Sequence, residues 1–154
     1  MLNWWDVEQF DVEKLLATWR WLCPQKLTLL ARNAFGDLFL QDDAGSVFCL
    51  NVSGGTFTKI ASSYSQFVEL AGQSEKREDW FAECDERTAA ARGLTPRSDQ
   101  CIGFEIPVVF AESASTNPYL IDIYENVGML GDLHRQIAEL PDGAKVELKI
   151  RPQT

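Results

Sequence analysis

The sequence predicts an α+β fold in which helices pack on one side of an antiparallel sheet built as a meander. In the first half of the chain, short apolar runs alternate with turns rich in Asp, Asn and Gly, and helical periodicity flanks this region on both sides. Strands and helices in separate runs are typical of α+β rather than of a doubly wound parallel sheet. The 154 residues contain no linker-like segment, so we expect one domain over residues 1–154.

The first half of the chain is predicted to hold one helix and the meander. Apolar residues at helical spacing favour a helix over residues 10–22, which ends before Pro24. Four short apolar runs predict strands over residues 27–32, 35–40, 47–52 and 56–61. The Asp- and Gly-containing segment 42–45 and the pair Gly54-Gly55 favour tight turns, and strands joined by tight turns pair antiparallel.

The second half is predicted to add three helices and three strands. Serine hydroxyls just before Tyr64 favour a helix start there, and Gly93 with Pro96 marks the end of a later helix. The predicted helices are residues 64–71, residues 75–92 and a last helix that carries Leu130, Leu133, Ile137 and Leu140. The predicted strands are residues 101–106, 119–124 and 146–150.

The charge balance excludes some classes of partner and favours another. Fourteen Lys and Arg stand against 23 Asp and Glu, for a net charge of -9. This charge opposes direct binding to nucleic acid and to an anionic membrane surface, whereas it favours encounter with a basic protein. Because the sequence has neither a signal-peptide pattern nor an 18-residue apolar run, we expect a cytoplasmic protein.

The sequence gives no sign of a metal or cofactor. The four cysteines stand at positions 23, 49, 84 and 101 without a CxxC or CxxH spacing, so we expect four reduced thiols packed as small apolar groups. The glycine-rich phosphate-binding patterns GxxxxGK[ST] and GxGxxG are absent. We therefore expect no cofactor and no metal.

His134 is the one histidine of the chain and the natural candidate for a general base. It lies beside the apolar stripe of the last predicted helix, where a partly buried histidine that donates a hydrogen bond is the more frequent case. No residue near it in sequence is placed to orient an imidazole for catalysis. We therefore predict that the protein is not an enzyme, with a His134-based enzyme as the alternative.

Two long stretches of the chain carry acids and neither Lys nor Arg. The acids of residues 98–134 are Asp99, Glu105, Glu112, Asp122, Glu125 and Asp132, and those of residues 33–58 are Asp37, Asp42 and Asp43. One interpretation is an ordinary solvated face, and turn chemistry also explains Asp42 and Asp43. The other is a docking surface for a basic protein that competes with phosphates for that partner.

The aromatic residues near the N-terminus also have two interpretations. They are Trp4, Trp5, Phe10, Trp19 and Trp21. An exposed group of this kind anchors a partner protein, whereas a buried one packs the core. Because large aromatic side chains are buried on average, we favour the core.

Four segments in order along the chain carry a family resemblance. They are residues 34–40 (AFGDLFL), 55–61 (GTFTKIA), 100–107 (QCIGFEIP), and 133–137 (LHRQI) together with 140–143 (LPDG). Over about residues 15–150 the chain resembles the C-terminal domain of the immunity proteins that accompany DNase toxins in type VI secretion, a domain often attached to a GAD-like domain. It is more distantly similar to the SUKH superfamily, in which an FGD-like turn follows a strand.

This resemblance implies a non-enzymatic bacterial domain that binds and neutralises a co-encoded toxin in the cytoplasm of the producing cell. It carries over no contact residues, so we take the site from charge and aromatic pattern. The predicted partner-binding residues are Phe35, Asp37, Asp42, Asp43, Trp80, Glu105, Asp122 and Glu125. Their carboxylates would stand where DNA phosphates sit on a nuclease. The alternative is a SUKH-type regulatory or scaffold module that binds a cellular protein.

Overall fold

A computed structural model of the chain describes residues 2–107, 110, 117–141 and 144. Within them the chain forms a four-stranded and a two-stranded antiparallel sheet with five helices, which confirms the predicted α+β class. The elements are α1 Val12–Leu15, β1 Thr28–Arg32, β2 Leu38–Gln41, β3 Val47–Asn51, β4 Thr56–Ala61, α2 Tyr64–Ala71, α3 Ser74–Phe81, α4 Glu83–Ala91, β5 Gln100–Phe104, β6 Pro118–Asp122 and α5 Ile123–Ala138. The strand predicted over residues 146–150 lies outside the described residues.

The larger sheet is the predicted meander, with the strand order β1-β2-β3-β4. All three pairs are antiparallel, and Leu38 of β2 lies opposite Leu50 of β3. The turn between these two strands depends on Asp42, whose carboxylate accepts a hydrogen bond from the backbone N–H of Ser46 at 2.9 Å, and on Gly45 with φ +94°. Local turn chemistry thus sets the order of the strands.

Helices cover both faces of this sheet, so the prediction that they pack on one side is wrong. Leu38 and Leu40 join a core cluster with residues of α1 and α5, whereas Phe39 between them joins a second cluster with Phe67 of α2 and Phe81 of α3. Neighbouring residues of a strand point to opposite faces. Because β2 is apolar on both faces, each face requires its own cover.

The first helix is shorter than predicted. It spans Val12–Leu15, and the chain continues to Leu22 in turns with hydrogen bonds three residues apart, such as the one from the backbone N–H of Trp19 to the carbonyl of Leu16. In this conformation the indole Nε1–H of Trp19 donates to the carbonyl of Val127 in α5 at 2.8 Å. A contact between distant segments has overridden the helical pattern.

The long helix predicted over residues 75–92 is two helices, α3 and α4, separated at Ala82 in the left-handed conformation with φ 49°. The break turns residues from both helices toward Trp4. Phe81 stacks on the Trp4 ring with 4.6 Å between centroids, and the buried carboxylate of Glu86 accepts from Trp4 Nε1 at 2.9 Å. A continuous helix would lose this arrangement.

The remaining helices follow local capping. Helix α2 has the predicted bounds, with the Ser63 hydroxyl accepting from the backbone N–H of Gln66. Helix α5 begins earlier than its apolar stripe suggested, because Asp122 caps it and accepts from the backbone N–H of Glu125 at 3.1 Å. The strand β6 therefore passes into α5 without a loop.

The two sheets are joined through the side chain of Arg32 at the end of β1. Only 1% exposed, its guanidinium donates to the carbonyls of Ser98 at 3.0 Å, of Gln100, and of Asn33 at 3.1 Å. Burial lowers the pKa of Arg32, and Glu86 and Asp99 are among the groups that counter this effect. The guanidinium thus fixes the start of β5 against the end of β1.

We expect Arg32→Ala to lower the free energy of unfolding by about 3–5 kcal/mol, because buried carbonyls lose their donors and a cavity opens. Urea unfolding followed by tryptophan fluorescence measures this loss. Lys76→Ala removes an exposed cation on α3 and should change stability by less than about 0.5 kcal/mol. Similar midpoints for the two variants would contradict the structural role of Arg32.

Candidate functional site

Asp37 has a structural environment rather than an outward-facing one. Its carboxylate accepts from Asn33 Nδ2 and from the backbone N–H of Val52, each at 2.9 Å. Burial raises the pKa of Asp37, and these two hydrogen bonds partly oppose that rise. The Asp37 side chain links the start of β2 to the residue after β3, so its carboxylate oxygens are directed at groups within the protein.

Asp42 and Asp43 lie at the far end of the same hairpin. Asp42 holds the turn as described above, whereas Asp43 is exposed. This turn is roughly 17 Å along the strand from Asp37, since an antiparallel strand rises about 3.4 Å per residue. The predicted acidic residues of this segment therefore do not form one cluster.

The two predicted anchors, Phe35 and Trp80, are half-buried and pack against other aromatic rings. Phe35 stacks on Phe104 with 6.3 Å between centroids. Trp80 packs on Phe67 at 5.4 Å and on Phe39 at 6.3 Å. Both rings contribute to packing within the fold.

The N-terminal aromatic residues divide between core and surface. Trp4, Phe10 and Trp19 are buried, as the core interpretation predicts. Trp5 and Trp21 remain 37% and 39% exposed. The core interpretation is therefore wrong for Trp5 and Trp21.

The remaining predicted acids lie around the smaller sheet. Glu105 follows β5 and is exposed, Asp122 ends β6 as the cap of α5, and Glu125 is exposed in the first turn of α5. The pKa of Tyr119 is raised chiefly by burial and further by electrostatic interactions with Cys101, Glu105 and Glu125. Glu105 lies two residues after Gly103, which pairs with Tyr119 across β5 and β6, and Glu125 lies at the start of α5.

Gly103 makes room for the Tyr119 ring. The two residues are paired across β5 and β6, and a Cβ on Gly103 would lie 3.6 Å from Cζ of Tyr119 and 3.1 Å from Oδ1 of Asn126. Beside them lies a shallow cleft lined by Ser53, Gly103, Phe104, Pro107, Asn126, Met129 and Leu130. We refer to Glu105, Tyr119, Glu125 and Met129 as the Tyr119 surface.

Sequence reasoning missed two members of this surface, Tyr119 and Met129. Met129 is 45% exposed, although it lies in a helix whose apolar stripe is buried. Glu125 and Met129 are four residues apart and so share one face of α5. A helix predicted to begin at Ile123 would have placed Glu125 and Met129 on the same face.

No known family model matches the chain, and no curated protein matches it either. The resemblance of the four segments to immunity proteins therefore stays a prediction. Across residues 2–107, 110, 117–141 and 144, none of the helices combines the length and apolar character needed to cross a bilayer.

His134 has the environment of a buried structural histidine, as the favoured interpretation predicts. It is 4% exposed, and its Nε2–H donates to the carbonyl of Ser53 at 3.1 Å. The ring packs on Trp19 at 5.8 Å and directly against Gly55. Burial lowers the pKa of His134, and hydrogen bonds with Ser53 and Val52 partly offset this effect. Through the hydrogen bond to Ser53 and the contact with Gly55, the imidazole links the β3–β4 turn to α5.

The four thiols are unpaired but differ in environment. Cys23 and Cys101 are buried and Cys49 is half-buried, and burial raises their pKa values to about 11, about 12 and about 12 respectively. Cys84 is exposed, so the expectation of four buried thiols is wrong there, because the break at Ala82 leaves Cys84 on the solvent side of α4. In the described part of the chain, no three His, Cys, Asp or Glu side chains are grouped to hold a metal ion.

We expect Gly55→Ala to destabilise the protein more than Gly93→Ala. Both glycines have positive φ, +72° and +82°, so each substitution carries a backbone cost of about 1 kcal/mol. At Gly55 the new Cβ would also lie 2.4 Å from His134 Nδ1, whereas at Gly93 no atom lies within 4 Å. The clash adds about 1–3 kcal/mol. Urea midpoints that shift equally in both variants would argue against the His134 contact.

The buried imidazole also predicts a pH dependence. Because the pKa of His134 in the folded protein lies below its ordinary value of 6.5, unfolding takes up a proton between these two pKa values. The contribution to stability is full above 6.5 and is lost as the pH falls through the folded pKa. Between about pH 7.5 and about pH 5, wild type should lose more unfolding free energy than His134→Gln. Parallel urea-unfolding profiles of the two proteins would contradict this prediction.

Proposed function

We propose that this protein is a non-enzymatic inhibitor that neutralises a co-encoded bacterial toxin by binding to it in the cytoplasm. The toxin class that fits best is a DNase delivered by type VI secretion. The resemblance of the four segments, residues 34–40, 55–61, 100–107 and 133–137 with 140–143, to immunity proteins supports the class of function. The observation that carries a basic partner is the net charge of -9, together with the exposed carboxylates of Glu105 after β5 and Glu125 in α5.

Inhibition follows from competition with DNA. A DNase binds phosphates, so its substrate-binding surface carries Lys and Arg. A protein of net charge -9 is attracted to that surface, and its exposed carboxylates take the places of the phosphates. Electrostatic attraction of this kind raises the association rate, which favours capture of the toxin before it reaches the chromosome.

The environment of His134 also supports a binding role. Its Nε2–H is bound to the Ser53 carbonyl and its other face lies against Gly55. A general base must reach a proton of its substrate, and this ring is occupied within the fold. The alternative class is a SUKH-type module that binds a cellular protein, and it makes a different prediction for the neighbouring gene.

We expect the product of the adjacent gene to arrest bacterial growth when expressed alone and to be tolerated when this protein is coexpressed. Colony counts under separate inducers measure the protection. In a purified system, DNA cleavage by that product should be blocked by this protein, and added DNA should relieve the block because both compete for one basic surface.

Arg32→Ala serves as the control, since a destabilised protein should protect less while the toxin remains unchanged. A neighbouring gene product that is harmless, or a toxin that is not neutralised, would contradict the immunity function. Binding to a cellular protein with no toxin in the neighbourhood would favour the SUKH-type module instead.

A further inference from the structure

We propose that the segment from α3 to α4 is a conformational switch with two states, the broken state described above and one continuous helix. Trp4 is the residue that stabilises the broken state. The switch is independent of the proposed function, and its test needs no partner protein. It is indicated by the left-handed backbone at Ala82 and by side-chain contacts that only the broken state allows.

The sequence of residues 74–91 favours a single helix. This stretch contains neither Gly nor Pro and is rich in Glu, Lys, Arg and Ala, which have high helix propensity. Ala82 nevertheless has φ 49° and ψ 49°, and among the described residues it is the one non-glycine residue with positive φ. In this region the Cβ of Ala crowds the following carbonyl. Such backbone outliers persist only where surrounding contacts hold them, and they cluster at segments that switch.

Two backbone groups at the break have a partner in either state. In a continuous helix the N–H of Cys84 would donate to the carbonyl of Trp80, four residues earlier. In the structure this N–H donates to the Glu78 carboxylate at 3.1 and 3.2 Å, and the Trp80 carbonyl accepts from Asn33 Nδ2 at 3.1 Å. Because neither group has to be left unpaired, the exchange avoids the cost of an unmade hydrogen bond.

The backbone on either side of the break already has helical hydrogen bonds. The N–H of Ala82 donates to the carbonyl of Glu78 at 3.0 Å, and the N–H of Glu86 donates to the carbonyl of Ala82 at 2.9 Å. Both bonds span four residues, as in an α-helix. When Ala82 takes the right-handed conformation, the N–H groups of residues 83–85 therefore complete the helix by bonding to the carbonyls of residues 79–81.

Trp4 opposes this change because it contacts both sides of the break. Its ring stacks on Phe81 of α3 with 4.6 Å between centroids, and its Nε1 donates to the buried carboxylate of Glu86 in α4 at 2.9 Å. The carbonyl of Trp4 accepts from the N–H of Arg32 at 2.8 Å, which anchors Trp4 to β1. Five positions correspond to about 140° around a continuous helix, so Phe81 and Glu86 would no longer meet one indole.

An ion pair near the surface also belongs to the broken state. Arg77 of α3 pairs with Glu83, the first residue of α4, and its guanidinium lies 5.4 Å from the centroid of the Trp4 ring. Six positions correspond to about 240° around a continuous helix, which places Arg77 and Glu83 on separate faces. Arg77, Phe81 and Trp4 all line a groove of about 410 Å³. The shape of this groove therefore depends on the state of the segment.

The test measures the distance between two spin labels in the full-length protein by pulsed electron paramagnetic resonance. The labels are attached at Lys76→Cys and Ala91→Cys, which are exposed positions, in a Cys49→Ala/Cys84→Ser background that leaves only buried thiols. A continuous helix separates these two Cα atoms by about 22 Å, and a bend shortens the distance. We expect a major population at the shorter distance and about 1–10% of the molecules at the longer one.

Weakening the broken state should raise the long-distance fraction. Trp4→Leu removes the stack and the indole hydrogen bond, so we expect an increase of about tenfold in the ratio of long to short distance. Glu78→Ala/Glu83→Ala removes the acceptor of the Cys84 N–H and the partner of Arg77 outside the core, and should raise the ratio about three- to tenfold. The control for charge is Glu69→Ala/Glu75→Ala, at exposed positions away from the break, with an expected change below about twofold.

A single short distance in Glu78→Ala/Glu83→Ala would overturn the switch, whether or not Trp4→Leu folds. An equal rise in the control variant would also overturn it, since the effect would then come from net charge.

Ala82→Gly shifts the equilibrium in the opposite direction. Gly adopts positive φ without crowding and disfavours a helix interior, so it stabilises the broken state and destabilises the continuous helix. Added to Glu78→Ala/Glu83→Ala, it should lower the ratio of long to short distance about tenfold or more. A segment that is merely loosened would instead show a broader distribution with Gly. A long-distance fraction that Ala82→Gly leaves unchanged or raises would contradict the two-state switch.

Discussion

The buried guanidinium of Arg32 is the interaction on which the arrangement of the two sheets depends. From the end of β1 it donates to the carbonyl of Ser98, two residues before β5, and to that of Gln100, the first residue of β5. The backbone adds one bond in the same region, from the N–H of Ile102 to the carbonyl of Ala34. Because β5 pairs with β6 and β6 leads directly into α5, the position of the whole Tyr119 surface follows from this junction.

A polar network extends from Arg32 across the meander. Asn33 next to it accepts from the backbone N–H of Phe35 and of Asp37 and donates to the Asp37 carboxylate, which in turn accepts from Val52. Among the described residues, no fully buried side-chain nitrogen or oxygen lacks a hydrogen-bond partner. Satisfied buried networks specify one arrangement of the chain, because any other leaves costly unpaired groups.

The sequence predicted those parts of the fold that depend on neighbouring residues. The meander and α2 follow from turn residues and caps such as Asp42 and Ser63, which act within a few positions. The break at Ala82 depends instead on Trp4, about eighty positions away, which engages both Phe81 and Glu86. No local sequence pattern indicates that contact, so helical periodicity predicted one continuous helix in place of α3 and α4.

The same limit applies to the Arg32 junction and to the cover on both faces of the sheet. In the sequence, Arg32 occupies what looks like the polar position of an alternating strand, yet it is buried. Besides the carbonyl of the adjacent Asn33, its partners are the carbonyls of Ser98 and Gln100, 66 and 68 positions later. By contrast, the continuous apolar run Leu38-Phe39-Leu40 did contain the signal for two covered faces.

The predicted site residues show that the number of acidic residues in a segment does not tell which of them are exposed. Three of the predicted aspartates, Asp37, Asp42 and Asp122, accept hydrogen bonds from backbone N–H groups and so serve the fold. A short Asp side chain reaches backbone donors close to it, which is why Asp is frequent in turns and caps. The glutamates at 105 and 125 are one methylene longer and are exposed. Charge pattern alone predicts that a basic partner is attracted, whereas side-chain length and nearby donors decide which carboxylates serve the fold and which stay exposed.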